Sequence, residues 1–210
     1  IEEFNIPVIG LPGTIDNDLV GTDFTIGYDT ALNTVVEAVD KIRDTAESHD
    51  RLFIVEVMGR DSGLIALRSG IGTGAEFIMI PETRTDMNSL LSRLEQGRKS
   101  KSSKIIIVAE GDDAGGAFEI AKVVKDKFPN IDTRVSILGH IQRGGGPSCM
   151  DRVLASRLGV AAVESLIEGR KGEMIGVVNG NIHFTPFKNA IKHIADVNPN
   201  LLKIVEILSL

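Results

Sequence analysis

The chain contains very little cysteine and no long hydrophobic run. Cys149 is the single cysteine in 210 residues, so the chain has no internal disulfide and no cysteine metal site, as is usual in a reducing compartment. No apolar run approaches the roughly 18 residues that a membrane span needs. The amino terminus, IEEFNIPVIG, is acidic where a signal peptide is basic. These absences predict a soluble, cytoplasmic protein.

Positive charge is also in deficit, because 23 Lys and Arg residues stand against 29 Asp and Glu residues, giving a formal net charge of −6 at pH 7. This balance argues against nucleic acid or an anionic membrane as the main partner. A bound anion would need arginines that are concentrated locally. Apolar residues make up 42% of the chain, which is enough to bury the core of one large domain or of two small ones.

Short apolar, β-branched runs alternate with segments of helical period. Predicted strands lie at 5–11, 51–59, 76–81, 104–111, 133–140 and 174–180. Predicted helices lie at 25–48, 62–72, 86–98, 115–128, 148–169, 188–195 and 199–209. Six alternations indicate an α/β protein with mostly parallel sheet. The segment QRGGGPS, 142–148, would suit a hinge between two lobes because it contains three glycines and a proline.

Polar residues gather where predicted strands end, which is where open α/β sheets bind their ligands. Four runs have this property. VIGLP is followed by Thr14, Asp16 and Asp18, IVEVM by Gly59 and Arg60, IIIVA by Glu110, and VSILG by His140 and Arg143. Glycines at these ends would let the backbone approach a ligand closely. The pattern therefore predicts a binding site at one rim of the sheet.

Asp16 and Asp18 set the predicted chemistry. In extended backbone, residues two apart are about 6–7 Å from each other. At an effective dielectric near 20 their repulsion is about 2–3 kcal/mol, so a cation, either magnesium or an arginine, is expected nearby. One carboxylate could then take a proton from a hydroxyl while the other helps to place the metal. The alternative is an Asx-turn or helix-cap pair in a polar loop.

Arg60 directly follows a buried strand, where a guanidinium could contact phosphate in a bidentate manner and meet the charge of a transferred phosphoryl group. The alternative is a surface ion pair with Asp61 or Glu56. Glu110 could accept hydrogen bonds from sugar hydroxyls, or could cap the helix that begins near residue 115.

His140 could hydrogen-bond a ligand or could be a satisfied loop histidine. Arg143 and Arg134 lie on the same strand and loop, and so form a basic patch. Together, these groups could bind a phosphorylated polyol beside a carboxylate that can activate a hydroxyl. Such an arrangement is typical of a phosphoryl-transfer site. They do not identify the donor, because neither G-x-x-x-x-G-K-[ST] nor G-x-G-x-x-G occurs.

Several segments resemble the signature segments of the 6-phosphofructokinase family: PGTIDND, GTDFTIGYDTAL, VEVMGR, LGHIQRGG and DRVLASRLG. The resemblance runs in order from about residue 6 to about residue 195. It implies Mg²⁺-dependent transfer of phosphate from ATP to fructose 6-phosphate, which gives fructose 1,6-bisphosphate in glycolysis. The alternatives are a pyrophosphate-dependent phosphofructokinase and a non-catalytic regulatory subunit that binds the sugar phosphate.

The resemblance also implies a role for individual residues. Asp16 would be the base for the 1-hydroxyl, Asp18 would support magnesium and the substrate, and Arg60 would stabilise the transferring phosphoryl group. Arg51 and Arg134 resemble two arginines that the family contributes from a neighbouring subunit, which implies a homo-oligomer, a tetramer in the family. The sugar-phosphate contacts would be Thr14, Ile15, Asp16, Met58, Gly59, Arg60, Glu110, His140 and Arg143.

Two further features concern the donor and regulation. Gly13 lies where ATP-using members have glycine and pyrophosphate-using members typically have lysine, which favours ATP. Bacterial members respond to ADP or phosphoenolpyruvate at a subunit interface. The residues that fall at that effector site are Arg43, Gly74, Ala75 and Glu76, with Lys101 or Lys104. The alternative for Arg43 is an exposed helix arginine.

The implied fold is two lobes, each a three-layer α/β/α, Rossmann-like sandwich with mostly parallel sheets. Residues 1–27 and 146–195 would be the remnant of the ATP-binding lobe, and residues 28–145 and 196–210 the fructose 6-phosphate-binding lobe, with the site between the lobes. The family's Gly-Gly-Asp-Gly-Ser loop is absent from this sequence. The expectation is therefore a fragment that lacks the N-terminal part of the nucleotide lobe.

Overall fold

A computed structural model describes residues 4, 6–46, 51–96, 104–193 and 197–208. Two compact units make up the chain. Unit 1 comprises Ile1–Ala31 and Gly145–Ala195, and unit 2 comprises Leu32–Gly144 and Asp196–Leu210. The assignment of a nucleotide lobe and a sugar-phosphate lobe stays a prediction.

The elements alternate between strand and helix as the sequence predicts, except that the last two strands follow one another directly. In chain order they are β1 (Ile9–Gly10), α1 (Tyr28–Ala46), β2 (Arg51–Val57), α2 (Leu64–Thr73), β3 (Phe77–Met79), α3 (Met87–Gln96), β4 (Lys104–Ala109), α4 (Ala117–Lys127), β5 (Asp132–Ile137), a 3-10 turn (Gly139–Arg143), α5 (Cys149–Ile167), β6 (Glu173–Val178), β7 (Asn181–Pro186) and α6 (Pro199–Leu208). No helix among the described residues is long and apolar enough to cross a membrane.

Unit 2 is built on a parallel four-stranded sheet in the order β3-β4-β2-β5. Its central strand β4 is buried from Ile105 to Ala109, as expected for a strand covered on both faces. Val57 pairs with Ala109, and Glu56 pairs with Ile137. The carboxyl ends of β4, β2 and β5 therefore lie level at one edge of the sheet.

Unit 1 has a smaller sheet in the order β1-β6-β7. β1 pairs with β6 in parallel, and β6 pairs with β7 as an antiparallel hairpin. Asn179 and Gly180 form the hairpin turn, and both have positive φ, at 50° and 79°. A two-residue Asn-Gly loop with this geometry matches the right-handed twist of the strands. The apolar cluster of unit 1 comprises Ile9, Leu154, Leu158, Ala162, Ile175 and Val177.

The prediction of an α/β fold with mostly parallel sheet is confirmed. The helical period predicted for 25–48 agrees with α1, in which Val35 and Val39, four residues apart, are fully buried. The predicted helix at 188–195 is wrong over its described part, 188–193, where a turn is followed by extended backbone. Residues 191–193 instead pair antiparallel with residues 18–20.

Candidate active site

The loop at residues 11–27, here called the aspartate loop, is held by its own side chains. The Asp16 amide donates to Thr14 Oγ1 at 3.2 Å, and the Thr25 hydroxyl donates to the Thr14 carbonyl at 2.7 Å. The Thr25 amide donates to Asn17 Oδ1 at 2.7 Å. Asn17 itself has a left-handed φ of 53°, which asparagine tolerates better than most residues. Local polar contacts therefore fix the backbone of the loop that contains Thr14 and Asp16.

Asp151 anchors the end of the aspartate loop. It is 3% exposed, and its carboxylate accepts from the Gly27 amide at 2.9 Å, from the Thr30 amide at 2.8 Å and from the Thr30 hydroxyl. Ser148 Oγ in turn accepts from the Asp151 amide at 3.2 Å and caps α5. The Asp151 carboxylate thus accepts the hydrogen bonds from the backbone amides at the start of α1. The interpretation of Asp16 and Asp18 as a helix-cap pair is therefore wrong.

Lys192 lies against both predicted functional carboxylates. Its Nζ is 2.7 Å from Asp18 Oδ2 and 3.4 Å from Asp16 Oδ2. The two carboxylate side chains are 12% and 8% exposed, whereas that of Lys192 is 54% exposed. The hydrogen bond to Asp18, reinforced by Asp16, raises the pKa of the Lys192 ammonium. The cation found beside the pair is thus a lysine, whereas magnesium or an arginine was predicted. Lys192 was missed because the sequence pattern predicted a helix for this segment.

Asp18 also offers a free oxygen. Its Oδ1 is buried and makes no hydrogen bond with any described residue. Mg²⁺ binds hard oxygen ligands, commonly one or two carboxylates together with water and substrate phosphates, so this oxygen fits a magnesium ligand. Among the described residues, no group of three or more His, Cys, Asp or Glu side chains could hold a metal. Asp18 alone could supply only part of a magnesium coordination shell.

A second group of predicted residues meets at the carboxyl edge of the unit 2 sheet. We call Met58, Gly59, Arg60, Glu110, His140 and Arg143 the strand-end cluster. Its members follow β2, β4 and β5, which are neighbours in the sheet. The Glu110 amide donates to the Val57 carbonyl at 2.9 Å, and the Leu138 amide donates to the Glu56 carbonyl at 3.0 Å.

Glycine at position 111 lets two segments of the cluster touch. A Cβ at Gly111 would lie 2.1 Å from the Arg60 carbonyl oxygen, which no side chain could tolerate. Arg60 itself has a left-handed φ of 52°, an uncommon backbone conformation for a residue with a side chain. The segment after β4 therefore packs on the backbone that presents Arg60.

Gln142 joins the third segment to this group, and sequence reasoning missed it. It is 1% exposed, and its Oε1 accepts from the Met58 amide at 2.9 Å. Its Nε2 is buried and makes no hydrogen bond with any described residue. Gln142 lies between His140 and Arg143 on the 3-10 turn, so it connects that turn to the segment that contains Arg60.

The charged side chains of the cluster are free. Arg60, Glu110, His140 and Arg143 are exposed, and within the described parts of the chain their side chains have no hydrogen-bond or ion-pair partner. Glu56 Oε2 accepts from the Ala117 amide at 2.8 Å.

Three alternative readings of these residues are therefore wrong. Arg60 does not form an ion pair with Asp61 or Glu56, His140 is not a satisfied loop histidine, and Glu110 does not cap α4, because Glu56 does. Two cationic side chains, a histidine and a carboxylate are available to recognise a phosphorylated ligand.

Arg51, the first residue of β2, and Arg134, the third residue of β5, share one carboxylate at the amino-terminal end of the same sheet. Arg51 Nε is 2.8 Å from Asp132 Oδ2, and Arg134 Nε is 2.9 Å from Asp132 Oδ1. The hydrogen bonds from Arg51 and then Arg134 lower the pKa of the Asp132 carboxyl. Arg51 begins β2 and Arg60 follows its end, so the strand separates them by roughly 20 Å at about 3.3 Å per residue. Arg51 therefore cannot reach the strand-end cluster of its own unit.

The predicted effector residues are partly assembled. The Arg43 guanidinium donates to the carbonyl of Thr73, directly before Gly74. Gly74 has a left-handed φ of 62° and ends α2, and the Ala75 amide donates to the Gly70 carbonyl at 2.9 Å. The Glu76 amide donates to the Ile105 carbonyl at 2.8 Å, and Ile105 directly follows Lys104 in the chain. Lys101 lies outside the described residues.

The sequence matches known proteins along its length. A family model described as phosphofructokinase matches residues 1–166. The ATP-dependent 6-phosphofructokinase 2 of Bacteroides thetaiotaomicron is 54% identical over 210 residues, which is 100% of this chain and 64% of that protein. The ATP-dependent 6-phosphofructokinase of Cytophaga hutchinsonii is 55% identical over 205 residues, which is 97% of this chain and 62% of that protein. The chain thus spans less than two thirds of the length of these relatives.

Solved structures agree with the sequence match. The phosphofructokinase of Saccharomyces cerevisiae superposes with a TM-score of 0.80 at 33% identity, over 97% of this chain and 28% of that chain. The Pichia pastoris phosphofructokinase in the T-state superposes with a TM-score of 0.86 at 26% identity, over 98% of this chain and 28% of that chain. On the sequence and structural matches together, the chain belongs to the phosphofructokinase family.

Proposed function

We propose that this protein acts as an ATP-dependent 6-phosphofructokinase, which transfers the γ-phosphate of ATP to the 1-hydroxyl of fructose 6-phosphate. The observation that carries the proposal is the pair Asp16 and Asp18. These carboxylates are mostly buried and share one ammonium, although neither caps a helix. A protein that only binds a sugar phosphate has little need of such a pair, which disfavours the non-catalytic alternative. A glycolytic role goes with a cytoplasmic location in this proposal.

Asp16 is the proposed base. Its carboxylate is close to a cation and largely excluded from water, so it can receive the proton of the 1-hydroxyl while the oxygen attacks the γ-phosphorus of ATP and the bond to the departing ADP breaks. Thr14 and Ile15 would contact the sugar phosphate from the same loop. Asp18 would hold Mg²⁺ through its free Oδ1, and the ion when bound would neutralise phosphate charge.

The strand-end cluster supplies the proposed recognition. Arg60 would oppose the charge on the transferring phosphoryl group. Glu110 would accept hydrogen bonds from sugar hydroxyls, and His140 and Arg143 would donate to the substrate phosphate. Because these side chains have no partner in the described chain, they are free to make such contacts.

Arg51 and Arg134 belong to a second copy of the chain in this proposal. The place of Arg51 at the far end of β2 supports that assignment, since the same unit cannot use it with its own Arg60, and Arg134 shares the carboxylate of Asp132 with Arg51. The proposed assembly is a homo-oligomer, a tetramer by family resemblance. Arg43, Gly74, Ala75, Glu76 and Lys104 are proposed to bind ADP or phosphoenolpyruvate, and Lys101 is retained from the sequence prediction.

Gly13 is the test point for the phosphoryl donor. A Cβ at Gly13 would meet no atom within 4 Å, and its φ is not left-handed, so Gly13→Lys should fold normally. We expect the full-length protein to phosphorylate fructose 6-phosphate with ATP and not with pyrophosphate, and Gly13→Lys to lose ATP use with an unchanged melting temperature. Equal use of both donors by the wild type would favour the pyrophosphate alternative. No turnover with either donor would overturn the proposal.

A further inference from the structure

Residues 191–193 form what we call the lysine strap. The Val20 amide donates to the Ile191 carbonyl at 3.1 Å, and the His193 amide donates to the Asp18 carbonyl at 2.6 Å. These bonds pair Lys192 with Leu19 in antiparallel fashion. Because the backbone is tied on both sides of Lys192, the origin of this side chain is fixed relative to the aspartate loop.

The orientation of both carboxylates depends on Lys192. Among the described residues, Lys192 is the one hydrogen-bond donor to the Asp16 carboxylate, and it is likewise the one donor to that of Asp18. The local contacts of the loop hold the backbone of Asp16 through its amide and leave the carboxylate to turn. The two carboxylate oxygens lie 3.4 Å and 2.7 Å from one nitrogen, so they are at most about 6 Å apart, and without a cation a repulsion of about 3 kcal/mol would drive the carboxylates apart.

The arrangement differs from an ordinary surface ion pair. Exposed pairs contribute little because both side chains move freely in water. Here the two acceptors are 8% and 12% exposed, and the backbone next to the donor is paired with the acceptor loop. The ammonium also leaves Asp18 Oδ1 open, so it does not use the oxygen that fits a metal.

We propose that Lys192 is a positioning residue for phosphoryl transfer, whose ammonium orients the Asp16 carboxylate and keeps it beside Asp18. This inference rests on the proposed function, in which Asp16 is the base. Lys192 contacts neither the sugar phosphate nor the reacting atoms in this proposal. It acts by holding the base in the orientation from which a proton can be received, and a base misplaced by about 1 Å can lose 10²-fold in rate.

The test compares Lys192→Met with Lys192→Arg in the full-length protein. Methionine keeps the backbone strap and a long apolar stem but removes the charge, whereas arginine keeps the charge. For Lys192→Met we expect kcat to fall about 10- to 100-fold, with the KM for fructose 6-phosphate within about threefold of wild type. Lys192→Arg should recover most of kcat. Lys188→Met, which removes an exposed lysine nearby in the same unit, should leave kcat unchanged.

Crystal structures of the two variants supply a readout that does not depend on activity. The Asp16 carboxylate should turn away from Asp18 in Lys192→Met and keep its orientation in Lys192→Arg. An unmoved Asp16 in the methionine variant, or an unchanged kcat, would overturn the inference. Failure of both variants to fold would also overturn it, because Lys192 would then be a structural residue.

The two proposals fail in different ways. A wild-type protein that shows no turnover with fructose 6-phosphate and either donor would remove the proposed function. An active wild type with a fully active Lys192→Met would leave that function standing and would remove the role of Lys192 alone.

Discussion

The aspartate loop of unit 1 and the strand-end cluster of unit 2 differ in whether their charged side chains have partners. In the loop, Asp16, Asp18 and Lys192 are partners of one another, and the carboxylates are mostly buried. In the cluster, Arg60 and Arg143 are exposed and have no partner in the described chain. Proton transfer needs a group held in one place before the substrate arrives. Recognition of an anion can use groups that are satisfied only when the ligand binds.

Arg60→Ala tests the cluster with the largest expected effect. An arginine that opposes the charge of a transferring phosphoryl group is worth about 10³–10⁵ in turnover. We therefore expect kcat to fall by about 10³ or more in steady-state assays of the full-length protein. Arg84→Ala, which removes another exposed arginine of unit 2, should keep wild-type kcat. A tenfold loss or less for Arg60→Ala would show that Arg60 does not meet that charge.

Asp16→Ser tests the loop, with the next largest effect. Removing a general base lowers kcat by about 10²–10⁴. The affinity for fructose 6-phosphate should change far less, because a base acts in the transition state. The isosteric Asp16→Asn should behave in the same way, since an amide cannot take the proton. If kcat and sugar-phosphate affinity fell equally, Asp16 would belong with the recognition residues and the contrast with unit 2 would disappear.

Asp151→Ala asks whether the order of the loop comes from its anchor. The change leaves the Gly27 amide, the Thr30 amide and the Thr30 hydroxyl without their acceptor. A buried donor without a partner costs about 1–3 kcal/mol, and because these three are only part-buried we expect the free energy of unfolding to fall by about 3 kcal/mol in total. Urea denaturation measures this, with the exposed Asp126→Ala as the control. A change below about 1 kcal/mol would mean that water replaces the carboxylate.

Asp132→Asn is expected to have the smallest effect, a change in how the melting temperature depends on pH. Asp132 lies at the amino-terminal end of the unit 2 sheet, opposite the strand-end cluster. Its pKa is lowered from 3.8 by hydrogen bonds from Arg51 and Arg134. Its contribution to stability is therefore complete above pH 3.8 and is lost as the pH falls through the folded-state pKa. Melting temperatures recorded from pH 6 to pH 2 should fall less steeply for Asp132→Asn than for the wild type. Identical slopes would show that the two arginines do not stabilise this carboxylate in the folded protein.

Local patterns predicted most of the fold. The apolar run at β4 and the stripe of α1 at Val35 and Val39 depend on near neighbours in sequence, so they could be read directly. β7 was missed although its Asn179-Gly180 turn is a strong hairpin signal. The helix expected at 188–195 was wrong because residues 191–193 satisfy their backbone by pairing with residues 18–20, far away in sequence.

The residues of the candidate site also fall into those that a local pattern predicts and those that depend on distant partners. Arg60, Glu110 and His140 could be predicted because a strand end places them, and strand ends are visible in sequence. Lys192 and Gln142 could not, since their roles depend on partners that only the fold supplies. Gln142 meets the Met58 amide 84 residues away, and no local pattern announces that contact.

The lysine strap also governs when the aspartate loop can be completed during synthesis. The contact between Lys192 and Asp18 joins residues 174 positions apart. At about 5–20 residues per second, translation needs about 9–35 s to deliver the lysine after the aspartate has been made. The parallel sheet of unit 2 is fully synthesised in that interval. The carboxylate pair therefore cannot receive its ammonium until the whole sheet of unit 2 has been synthesised.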